Sequence, residues 1–172
     1  MGYNWLKEEK SPKLLVEAVK HMGVKEVVGK EHNPIIMDWA KELGLSKTYT
    51  ADEVPWCGLF VAYCAHTAGV QVVDKPLWAL SWANYGTKAS EPMLGDILTF
   101  KRDGGGHVGI YVGEDHDCYH VLGGNQGNAV SVSRIVKSRL YQARRTAWKI
   151  AQPANVRKVF LEAKGTITTN EQ

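Results

Sequence analysis

The chain has 172 residues, enough for one domain with a sizeable core and too few for two comfortable ones. Apolar residues make up 44% and charged residues 23%, with a net charge of +3, which excludes the dense basic loading of a nucleic-acid binder. No run of about 18 apolar residues occurs, so membrane insertion is not expected. The start MGYNWLKEEK lacks the basic-then-apolar pattern of a secretory leader, so the reading places synthesis in a cytoplasm without an export signal.

In chain order, Leu14, Leu15, Ala18, Val19 and Met22 recur at helical spacing after Ser11-Pro12, and Gly23 ends the pattern: a helix over 13–22. A second helix is expected over 33–43, with Asn33 as N-cap, Pro34 at the first position and Gly44 past the end. Pro55-Trp56-Cys57 opens a third, over 55–67, stopped by Gly69. It is apolar over most of its surface and reads as the central buried helix. A short helical stretch follows at 81–85.

From Met93 the periodicity shifts to strands. They are expected at 96–100, 107–112, 118–122 and 129–133, with a last one over 141–150. Turns fall at 101–106, 113–117 and 123–128. Helices first and antiparallel strands after give an α+β layout. Residues 1–152 read as a single domain and 153–172 as a tail, partly disordered toward its end.

Three cysteines, Cys57, Cys64 and Cys118, cannot complete a disulfide framework. Cys57 and Cys64 lie two helical turns apart, roughly 10 Å along one helix and beyond disulfide reach. Free thiols in a reducing compartment are the expectation. Cys57 stands at a helix N-terminus, where unpaired N–H groups and the helix dipole favour a thiolate. A small buried hydrophobe is the ordinary alternative for any free cysteine, and it fits Cys64 and Cys118 better.

His107 follows three glycines at the head of a strand, a place from which an imidazole reaches a groove edge. His120, alternating with Cys118 on the next strand, is a rival base. Asn125 lies in a Gly-Gly-Asn-Gln turn, where Asn is common for its backbone tolerance alone. The functional alternative is that its amide orients the imidazole in a Cys-His-Asn set. CxxC and HExxH spacings are absent, so no metal is expected, and no phosphate-cradling GxxxxGK[ST] loop occurs.

Four strings in fixed order, DEVPWCGLFVAYCAHTAGV (52–70), EPMLGDILTF (91–100), GGHVGIYVGE (105–114) and VLGGNQGNAVSVS (121–133), resemble the CHAP/NlpC-P60 papain-like peptidoglycan hydrolases. The upstream segment 22–45 is similar to the N-terminal helices of a phage-associated, endolysin-like branch. The resemblance spans roughly residues 14–148. It implies a papain-like α+β fold with the nucleophile helix packed on an antiparallel sheet.

By motif, the resemblance implies Cys57 as nucleophile, His107 as base and Asn125 as the polar orienting residue. Many members carry a Glu two residues before that Asn, where this chain has Gly123. Trp56, Trp82, Tyr85 and Gln126 are candidate substrate-binding residues, with Trp78 also a possible groove wall, and core packing is the favoured alternative for most of the aromatics. The implied reaction is cleavage of a peptidoglycan amide bond, as N-acetylmuramoyl-L-alanine amidase or peptide endopeptidase, with no cofactor. Phage-induced lysis by a monomer released to the wall through a holin is the implied setting. The competing readings are a papain-like amidohydrolase or effector on a non-wall substrate, and an inactive phage structural protein.

Overall fold

The computed structural model describes residues 2–148 and 152–171. Three α-helices come first, α1 (Lys13–Val19), α2 (Pro34–Glu42) and α3 (Cys57–Ala68). Six strands follow, β1 (Thr87–Lys88), β2 (Ile97–Arg102), β3 (Gly105–Glu114), β4 (Cys118–Gly123), β5 (Ser131–Val136) and β6 (Leu140–Arg145). They form one antiparallel sheet in the order β1-β6-β2-β3-β4-β5. The expected α+β class and the helix-on-antiparallel-sheet arrangement hold, in keeping with a papain-like fold.

The helix ends follow the local chemistry. The Asn33 side chain accepts from the Ile35 N–H at 2.8 Å, capping α2, and Pro34 occupies its first position. α3 closes on the left-handed Gly69. Because α3 is apolar on every side, it is buried between α1 and α2 on one side and β3 on the other. A second apolar cluster, including Leu98, Phe100, Tyr111, Val121 and Ile135, is separate from the one around the helices.

Several boundaries differ from the sequence reading. β2 and β3 grow into the expected glycine turn and leave only Asp103-Gly104 as a two-residue hairpin loop. The stretch at 81–85 is a 3-10 helix, Ala79–Asn84. The strand expected at 129–133 lies at Ser131–Val136, because Gln126 N–H closes the preceding turn on Ala129 O and holds Ala129 out of the ladder. Of the strand expected over 141–150, the ladder covers Leu140–Arg145, and its last two residues lie outside the described ones.

The tail is laid against the sheet rather than left free. Phe160 bridges Glu114 and Ile167 bridges Arg134, both in parallel sense, and Val156 and Val159 are buried. The second bridge covers the outer edge of β5, where Thr168 N–H donates to Arg134 O at 3.1 Å.

Candidate active site

Cys57 is the first residue of α3 and is 4% exposed, at the floor of a groove of about 490 Å³. Val54, Pro55, Leu77, Trp78, Leu80 and Arg102 are among the groove's lining residues. The next residue, Gly58, has no room for a side chain: a Cβ there would run into the Pro76 carbonyl and come within 3.0 Å of Leu77. That close crossing brings the 76–80 segment over the helix start, so one wall of the groove is set by the absence of a side chain.

His107 enters from β3 as its third residue and is 2% exposed. The Phe100 ring on β2 stacks against it, with centroids 6.4 Å apart and planes 28° apart. Its side chain is hydrogen-bonded to Cys57, and the Val108 N–H also donates to the Cys57 sulfur. On its other side, His107 Nε2 lies 2.9 Å from Gln126 Oε1.

The Gln126 amide resolves the tautomer. Its Nε2 donates to two backbone carbonyls, Val121 O at 3.0 Å and Ser131 O at 2.6 Å, so Oε1 is the atom turned to the imidazole. A carbonyl oxygen only accepts, so His107 Nε2 carries the hydrogen. Nδ1 is then the nitrogen left to exchange a proton with Cys57.

Each of the two groups shifts the other toward its charged form. Burial pushes the Cys57 thiol up, but the hydrogen bond and charge of His107, the Val108 N–H and the Arg102 guanidinium outweigh it and hold the thiol below its ordinary range. For His107, burial pulls the other way, and the bond and charge of Cys57, the Gln126 acceptor and the Glu171 carboxylate lift the imidazole above its ordinary value. Cys64, by contrast, is pushed well up by burial and acts as a core residue. Cys118 is raised by burial as well, and all three thiols are free.

The structure therefore brings Cys57, His107 and Gln126 into one chain of contacts. The residue bonded to the imidazole is Gln126, one position beyond Asn125. Asn125 is buried with a left-handed backbone (φ 56°), the turn conformation that Asn tolerates. Gln126 was expected to touch substrate, yet its amide is consumed by the imidazole and two carbonyls.

Trp56, Trp82 and Tyr85 present no surface to a ligand, a correction to their expected place in the groove. They are buried in the core, where Trp56 donates to Glu26, Trp82 donates to the Pro76 carbonyl and the Tyr85 hydroxyl meets Thr146. Each aromatic found an internal partner for its polar atom, which is what permits full burial. Trp78 is the tryptophan that stands out, 73% exposed at the groove.

The rival base His120 is held elsewhere, between Asp115 (2.7 Å) and the Tyr3 hydroxyl (2.8 Å). Arg102 escaped the sequence reading; a basic residue beside the glycine turn was its only signal. Among the described residues, no group of three or more His, Cys, Asp or Glu is placed to hold a metal ion.

No curated protein matches the chain. The CHAP domain model matches residues 49–125, a segment that contains Cys57, His107 and the turn up to Asn125. That match supports placing this part of the chain with the CHAP/papain-like hydrolase superfamily, whose general activity is that of peptidoglycan amidases and peptidases.

Proposed function

We propose that this protein is a cysteine hydrolase that cleaves an amide bond of bacterial peptidoglycan, with Cys57 as nucleophile, His107 as acid and base, and Gln126 as the residue that orients His107. The observation that carries the reading is the buried Cys57–His107–Gln126 chain opening on a groove at the start of α3. The Cys57 thiolate attacks the amide carbonyl carbon, and the C–N bond breaks as His107 Nδ1–H gives its proton to the leaving amine. The acyl group remains as a thioester on Cys57. Nδ1, now unprotonated, takes a proton from water, whose oxygen attacks the thioester. The acid product leaves, and the thiolate–imidazolium pair is restored.

The tetrahedral oxyanion would be received by the first N–H groups of α3, which have no intrahelical partner. Trp78 offers a flat apolar wall and Arg102 a cation for an acidic stem peptide. The setting we favour is phage-induced lysis by a monomer that reaches the wall through a holin.

The test is digestion of purified Gram-negative peptidoglycan by wild type and Cys57→Ala, with fragments identified by mass spectrometry. Soluble fragments from wild type alone are expected, and their masses identify the bond cut. Equal digestion by both would remove Cys57 as nucleophile. No fragments from a folded wild type would favour a non-wall amide substrate or an inactive structural role.

A further inference from the structure

Residues 169–171 of the C-terminal segment pack against Arg102 and Arg139. Glu171 is 1% exposed and forms a forked ion pair with Arg139, its oxygens 2.6 and 3.1 Å from the two terminal guanidinium nitrogens. Arg139 immediately precedes Leu140, which pairs across β6–β2 with Phe100. Phe100 in turn pairs with His107 across β2–β3 and stacks on its ring. Two strand spacings, roughly 10 Å, therefore separate the Arg139 end of β6 from His107.

The preceding residues mark the same route. Asn170 accepts from the Arg102 guanidinium at 3.4 Å, and Thr169 and Asn170 share a recess with Arg102 and Gly104, both of which also line the Cys57 groove. A carboxylate sealed from water acts on a buried imidazole with less screening than an exposed one would.

We infer that Glu171 is a positioning residue for catalysis, a buried carboxylate carried by the C-terminal strap to hold the imidazolium form of His107. This rests on the reading of His107 as the acid and base. The charged groups set around the pair are Cys57 on α3, Arg102 on β2, Arg139 in the turn before β6 and Glu171 on the strap. Reciprocally, Glu171 is raised by burial but lowered further by the Arg139 bond and the His107 charge, so it stays ionised. Arg139 absorbs part of its field and fixes its place, and the remainder favours a proton on His107. Losing the charge should ease that proton off at lower pH.

The experiment is an NMR titration of the His107 imidazole in wild type, Glu171→Gln and Glu171→Asp, which needs no substrate. Glu171→Gln should lower the His107 midpoint by on the order of one pH unit, and Glu171→Asp should recover most of the shift. In wild type, the Glu171 side-chain carboxyl resonance should show a step at the His107 midpoint. That measurement decides the matter if Glu171→Gln does not fold. Matching His107 midpoints in wild type and Glu171→Gln, or no such step in wild type, would overturn the inference while leaving the hydrolase reading intact. Failure of wild type to digest peptidoglycan would count against the substrate and not against the coupling.

Discussion

A glycine and a glutamine three residues apart decide how the imidazole is held. A Cβ at Gly123 would lie 2.6 Å from Gln126 Oε1 and 3.4 Å from His107 Nε2, so the amide fills the space that a side chain at 123 would occupy. Position 123 is where many proteins of the resembling family carry Glu, and here the acceptor reaches the same nitrogen from Gln126 instead. Gln126→Ala should lower kcat/KM on the order of a hundredfold. That is less than the ~10⁴ seen when a buried carboxylate partner is lost, because a neutral amide contributes a weaker bond. Gly123→Ala should reproduce most of that loss by displacing the amide. An unchanged kcat/KM in Gly123→Ala would sink the idea that this space is reserved. The sequence pointed to Cys57 and His107 because their positions, at a helix start and after a glycine turn, are local features. It pointed to Asn125 rather than Gln126 because a side chain's direction out of a turn depends on one backbone angle, here φ 56° at Asn125. The sorting of the aromatics between core and groove has the same origin: composition supplies six tryptophans, and only packing says which of them face inward.

Among the elements, the helices were legible and the sheet less so. Caps and stops are written in single residues, and Asn33, Pro34, Gly44 and Gly69 sit where the reading put them. The hairpins β2–β3, β3–β4 and β4–β5 are likewise local. The insertion of β6 between β1 and β2 is not, since it joins segments forty or more residues apart, and the two-residue exposed β1 carries no periodicity to detect. The Asn33 cap makes a prediction that separates scaffold from chemistry. Its side chain caps α2 through Ile35 N–H and also donates to Lys25 O at 2.6 Å. Asn33→Ala should cost about 1–2 kcal/mol, read as a lower midpoint in urea unfolding. The pH dependence of Cys57 alkylation should stay as in wild type, because α2 touches α3 and not the pair. A shifted alkylation profile would mean that α2 also sets the thiol, contrary to this division.

At the scale of the whole molecule, a buried polar network far from Cys57 ties the N-terminal segment, β4, β5 and the tail together. Asp115 accepts from Arg134 Nε at 2.9 Å, from His120 Nε2 and from the Asp117 and Cys118 N–H groups, while Arg134 also donates to Gly165 O. A carboxylate only accepts, so His120 carries its hydrogen on Nε2, and its Nδ1 receives the Tyr3 hydroxyl proton. Burial pushes the Asp115 carboxyl up, but these four donors more than reverse it and hold it well below the carboxylate range. Its stabilisation is therefore present above the ordinary value of about 4 and fades as pH falls below it. Burial pulls His120 down, against Asp115, so its neutral form is the folded one. That contribution is present above about 6.5 and is lost as pH falls through the range below. Both groups place the loss on the acid side. The melting temperature of wild type should fall between pH 7 and pH 4, with amide exchange at Tyr3 and Ile167 rising first. Asp115→Asn leaves the partly exposed Arg134 without its counter-charge, so it should lose about 1–3 kcal/mol at pH 7 and show a flatter decline into acid. Tyr3→Phe should lose about 1–2 kcal/mol, since the His120 acceptor is left unpaired. Equal acid slopes in wild type and Asp115→Asn would show that the carboxylates responsible lie elsewhere, and the pairing of the tail with β5 would then owe nothing to this network.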